Sequence, residues 1–195
     1  KTYWDLGYVK EKDVDFHPFT KLEMRPATPR KELTGDDRLL ADEMIRYKRR
    51  FEDVRDGRAP ALDGDELSSF WLRKTRKAVL AVLMTRKVGD EAPTFYRGVN
   101  VVVSRPTGSL GAERNAVGNA LASDAWIKRS DIKAVEVLSI TLSPEKQPLN
   151  PLDPCGACME WLRKIGDVNP DFRVLNFSDV SCDEVFVTPI DYRTL

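Results

Sequence analysis

The residues best suited to chemistry are two thiols, Cys155 and Cys158, in the run Pro154-Cys155-Gly156-Ala157-Cys158. On the first turns of a helix, side chains three apart face similar space. A helix N-terminus favours thiolate through its dipole and its free N–H groups. Such a pair can ligate zinc, cycle as a redox dithiol, or pack inertly at a helix start. A closed structural zinc site needs four ligands, and no second Cys pair exists to supply them, since Cys182 is the only other cysteine. The helix and strand order before the motif fits a redox fold poorly.

About forty residues upstream stands Gly111-Ala112-Glu113-Arg114-Asn115-Ala116, which reads as a helix start. A glutamate two residues after a ligand position, followed by Pro-Cys-x-x-Cys, is the pattern of zinc deaminases. Here the sequence resembles the cytidine deaminase family, whose members read Cys-Ala-Glu-Arg and then Pro-Cys-Gly-x-Cys. The resemblance covers roughly residues 75–190 in element order and is specific at 112–114 and 154–158. It implies three protein ligands on a zinc ion, with water in the fourth place and a pKa lowered toward neutrality. It gives Glu113 the proton shuttle between that water, the pyrimidine and the leaving amine. Apart from the resemblance, Glu113 is a carboxylate favoured by a helix dipole.

Two positions depart from the family pattern. The first ligand position is Gly111, which has no side chain to coordinate zinc. Cys182, Asp153 or an extra water are the conceivable substitutes. A two-thiolate zinc would be held more weakly and would carry altered charge. The family also carries Gly-x-Asn-Val-Glu-Asn on the preceding strand, where this chain has Gly98-Val99-Asn100-Val101-Val102-Val103. The resemblance implies that the family glutamate contacts ribose hydroxyl, and Val102 stands in its place. Losing each such contact costs a nucleoside site about 1–3 kcal/mol. Asn100 is kept, as a substrate contact or as a strand-edge amide.

The elements that must position these residues follow from pattern. Leu40, Met44, Tyr47 and Phe51 form one helical stripe, which Gly57 and Pro60 end. Residues 66–76 read as a short helix. The apolar run 78–84 suits a buried strand, and a turn from Gly89 to Pro93 leads to a second strand over 95–103, making a hairpin. The next helix spans 112–122, with small residues at Ala112, Ala116, Gly118 and Ala120 to approach a sheet. A strand over 135–142 and a Pro-rich loop follow. Asp153 as N-cap and Pro154 at the first turn open a helix running to about Ile165. Strands over 172–177 and 184–187 close the chain. The expected fold is α/β: a three-layer α/β/α sandwich on a central mixed sheet of about five strands.

The totals agree with one domain. The chain has 195 residues, 42% hydrophobic and 32% charged, with 31 basic and 31 acidic side chains. A formal charge of zero gives no global basic field, which argues against a nucleic-acid partner. No apolar run reaches the roughly 20 residues of a membrane helix. Residues 1–34, with Pro18, Pro26 and Pro29, read as an extended arm ahead of a domain spanning 35–195. The lone histidine, His17, lies in that arm and reads as a surface or packing residue. The first residue is Lys1, not Met, so the chain reads as a processed form or part of a longer one. Three cysteines without a paired framework favour a reducing intracellular compartment.

The two departures favour a deaminase-type domain whose chemistry has been lost and which serves with other protein subunits as a structural or interaction module. The alternative is an active zinc-dependent nucleoside deaminase with an altered ligand set. Zinc is the one cofactor implied.

Overall fold

The computed structural model describes residues 26–56, 58, 77–101, 109–141 and 148–190. His17, Val102, Gly57, Pro60, the expected helix over 66–76 and most of the arm lie outside them.

The described elements run β1 (Thr28–Pro29), α1 (Gly35–Arg55), β2 (Lys77–Thr85), β3 (Thr94–Val99), α2 (Ala112–Ser123), β4 (Ile132–Thr141), α3 (Gly156–Gly166), β5 (Arg173–Phe177) and β6 (Glu184–Pro189). The strands form one mixed sheet in the order β1-β6-β5-β4-β2-β3. Its β4–β5 pair is parallel and the other pairs are antiparallel. The sheet therefore has six strands rather than about five. The extra one comes from the arm: Thr28 pairs with Val185 and Pro29 with Glu184. Two residues ending in proline carry no alternation to read, and proline is tolerated there because β1 is an edge strand.

The continuous apolar run of β2 is explained by helices on both faces of the sheet. Ala78, Leu80, Val82 and Met84 pack with the α1 stripe of Leu40, Met44, Tyr47 and Phe51. Ala81 and Leu83 turn the other way, into a second core with α2 and α3. The three layers are thus α1, the sheet, and α2 with α3.

β3 is clamped from both faces. From the α1 side, Glu43 accepts hydrogen bonds from Arg97 Nε at 2.8 Å and Nη2 at 2.5 Å. The Arg97 guanidinium lies 5.3 Å from the centre of the Tyr47 ring. From the α2 side, Asn115 donates to Val99 O at 2.8 Å and Asn119 to Arg97 O at 3.1 Å. At Gly98 the backbone of α2 comes so close that a Cβ would stand 2.2 Å from Ala112 O and 2.4 Å from Ala116 N. The helix supplies Ala112, Ala116 and Ala120 to this contact, all fully buried. Gly118, grouped with them from sequence, has no atom within 4 Å of a built Cβ, because it lies on the outer face.

Strand β4 carries one polar residue where the α1 core would take an apolar one. Glu136 is completely buried, and neither carboxyl oxygen has a hydrogen-bond partner. Burial first, and then the charges of Asp37 and Asp42, raise its pKa well above the usual carboxylate value. The folded chain therefore holds a proton here that the unfolded chain has released. The contribution of Glu136 to stability is greatest below the ordinary carboxylate pKa and falls as pH rises from there toward the raised folded value. Glu136→Met, which removes both unpaired oxygens at similar volume, should raise stability at neutral pH by about 1–3 kcal/mol. It should also flatten that pH dependence, as read by urea unfolding between pH 4 and 8.

Candidate dithiol–carboxylate site

The site lies where the N-termini of α2 and α3 meet, on one face of the sheet. Gly111 is the N-cap of α2, and Glu113 sits in its first turn, 4% exposed. The Gly98 contact seats that turn on β3, so a strand glycine sets the depth of the carboxylate. The sequence pattern did not single out Gly98 for this. A glycine facing a helix of small residues would have been the signal.

The second half of the site is held by asparagines in and after the Pro-rich loop. Asn150 accepts from Ser139 N and donates to Ser139 O, both at 2.9 Å, pairing the loop to β4 as a strand would. Asn176 of β5 donates to Leu152 O at 2.5 Å. These bonds deliver Pro154 and Cys155 to the helix start. The helix begins at Gly156 with Cys155 as N-cap, two residues later than Asp153 and Pro154 suggested. The reason is local: Cys155 keeps an extended backbone, with φ −63° and ψ 162°.

The two sulfurs stand 3.4 Å apart. Cys155 is exposed and Cys158 is buried. The Cys155 thiol is lowered to about 6 by its hydrogen bond with Cys158, with help from the Cys158 and Ala157 N–H groups and the Arg114 charge. The Cys158 thiol is pushed up by the same hydrogen bond, by burial and by the negative charge of Glu113. Burial raises the Glu113 pKa, and its hydrogen bond with Cys158 partly offsets that. The arrangement holds one exposed thiol, one buried thiol, and a buried carboxyl against the buried thiol.

Gly111 is what makes this packing possible. A Cβ built on it would meet Cys158 Sγ at 2.3 Å and Glu113 Oε2 at 3.3 Å. The Cys158 sulfur thus occupies the space in which a side chain at position 111 would begin. Cys182 does not complete the set. It packs in the α1 core on the opposite face of the sheet, and burial pushes its thiol up to about 12. Among the described residues, no three His, Cys, Asp or Glu side chains are arranged to hold a metal ion. The residues present do not fit the three-ligand zinc site of the deaminase pattern.

Asn100 lies at the end of β3. Its Oδ1 accepts from Val79 N at 2.8 Å, and its own N–H donates to Val79 O at 3.0 Å. The side chain thus extends the β2–β3 ladder by one rung.

A three-layer sandwich with a Glu-bearing and a Cys-x-x-Cys helix meeting on one face defines a cytidine-deaminase-like domain. The family model for the LmjF365940 subfamily of CDD/CDA-like deaminases matches residues 38–148 and 141–191, and the chain belongs to this family. Among solved structures, the cytidine deaminase of Burkholderia pseudomallei is 26% identical over 58% of this chain and 75% of its own, with a TM-score of 0.44. The cytidine deaminase of Mycobacterium leprae is 15% identical over 79% of this chain and 94% of its own, with a TM-score of 0.40. No curated protein sequence is significantly similar to this chain.

Proposed function

We propose that this chain is a deaminase-fold domain without hydrolytic deaminase activity, acting with other protein subunits as a structural or interaction module. The observation that carries the reading is the 2.3 Å approach of Cys158 Sγ to the Cβ position of Gly111. A deaminase needs three protein ligands to hold zinc and acidify its water, and here the third has been replaced by packing. Exposed apolar side chains on the α2 and α3 layer support the interaction role. Trp126 is 83% exposed, and Leu121 and Trp161 are also exposed, which leaves large apolar side chains for a protein partner to bury. The balanced charge gives no comparable support to a nucleic-acid partner. Metal analysis of the purified chain should find zinc well below one per molecule, and cytidine should not turn over. Stoichiometric zinc with robust turnover would overturn the reading.

The second reading, an active zinc-dependent nucleoside deaminase with an altered ligand set, draws on Glu113. Its carboxyl is buried beside the thiols with a raised pKa, as a proton shuttle needs. Under that reading Glu113→Ala lowers turnover by about 10²–10⁴-fold. An unchanged rate removes Glu113 from the chemistry.

A further inference from the structure

We propose that Cys155 and Cys158 form a reversible dithiol–disulfide site whose co-substrate is a low-molecular-weight disulfide, such as oxidised glutathione. The geometry already holds most of what the reaction needs. The sulfurs are 3.4 Å apart, and closing to the ~2.05 Å of a disulfide takes side-chain rotation. The two differ in access as attacking and resolving thiols must: Cys155 is exposed and Cys158 is buried. Gly111 leaves the Cys158 sulfur the room to lie where it does, beside Cys155 and against Glu113. Cys182 lies in the α1 core, across the sheet from the pair. The inference rests on the reading proposed above, because a zinc ion held by both sulfurs would leave neither free to react.

The reaction balances as two exchanges. The Cys155 thiolate attacks one sulfur of the small disulfide. An S–S bond forms between them, the small disulfide's own S–S bond breaks, and one thiolate leaves. Cys158 then gives up its proton and attacks Cys155 Sγ. The internal disulfide forms, the mixed disulfide breaks, and a second thiolate leaves. Two protein thiols are oxidised by two electrons, and one small disulfide is reduced to two thiols, which take up the protons released.

The test equilibrates the whole chain in glutathione buffers of graded ratio, traps free thiols by alkylation, and reads the peptides by mass spectrometry. Zinc is measured on the same sample. The expected result is a reversible Cys155–Cys158 disulfide with Cys182 left alkylated. Under limiting reagent, Cys155 should alkylate at least tenfold faster than Cys182. Cys158→Ser should accumulate the glutathione mixed disulfide at Cys155, whereas Cys182→Ser should behave as the parent. A zinc-free chain that forms no disulfide in fully oxidised glutathione overturns this inference and leaves the proposed function standing. So does a Cys158→Ser chain with no mixed disulfide. Stoichiometric zinc that blocks oxidation overturns this inference, and only with robust cytidine turnover does it overturn the proposed function as well.

Discussion

Gly111→Cys should turn the chain into a zinc protein, with one ion per molecule and affinity at least two orders of magnitude above the parent. Changes in groups that merely orient zinc ligands already cost about 10–100-fold in affinity, so a directly bound ligand should exceed that. A side chain at position 111, the N-cap of α2, begins against the Cys158 sulfur, which itself lies 3.4 Å from that of Cys155. The obstacle is the Cys158 sulfur, 2.3 Å from the new Cβ. It is the end of a flexible side chain, so it can rotate away. Without metal, that rotation spoils the packing, and the variant should be less stable than the parent by about 1–3 kcal/mol. With zinc, three thiolates reorganise around the ion and stability should rise above the parent's, because metal held only by the folded state adds its binding free energy to folding. Zinc titration followed by thermal unfolding, with and without chelator, reads both halves. A variant that takes up no more zinc than the parent would show that the helix ends are not placed for a three-ligand site. Restored zinc without cytidine turnover would locate a second loss outside the metal site.

The second large effect is expected at Gly98. Gly98→Ala should destabilise the fold by about 3 kcal/mol or more, at the upper end of overpacking costs. The added Cβ would meet backbone, Ala112 O at 2.2 Å and Ala116 N at 2.4 Å, and backbone held in a helix cannot turn aside. Helix α2 would have to lift from β3. That motion stretches the Asn115 and Asn119 bonds to Val99 O and Arg97 O and carries Glu113 away from Cys158. Gly118→Ala supplies the contrast. That glycine is helical, exposed and without atoms within 4 Å of a built Cβ, so alanine should stabilise by about 0.5–1 kcal/mol. Urea unfolding of the two variants checks the pair. Equal stability of Gly98→Ala and the parent would mean that α2 is not seated as described.

Much of this protein was legible in the chain itself. The α1 stripe, the apolar run of β2 and the two motifs at helix starts depend on local periodicity and residue chemistry, which sequence carries directly. So did the family, because Ala112-Glu113-Arg114 and Pro154 to Cys158 are contiguous runs. The absence of a side chain at 111 was equally plain. What filled its place was not. That Cys158 sits against Gly111, that Cys182 lies across the sheet, and that a two-residue strand adds a sixth rung to the sheet are long-range facts. They depend on which faces of distant elements meet, and a residue's neighbours in space leave no mark in its neighbours in sequence. The tertiary structure alone decided that the Cys158 sulfur lies at the Cβ position of Gly111 and beside Cys155, because α2 is pressed onto Gly98 and the asparagine-held loop brings α3 up against it.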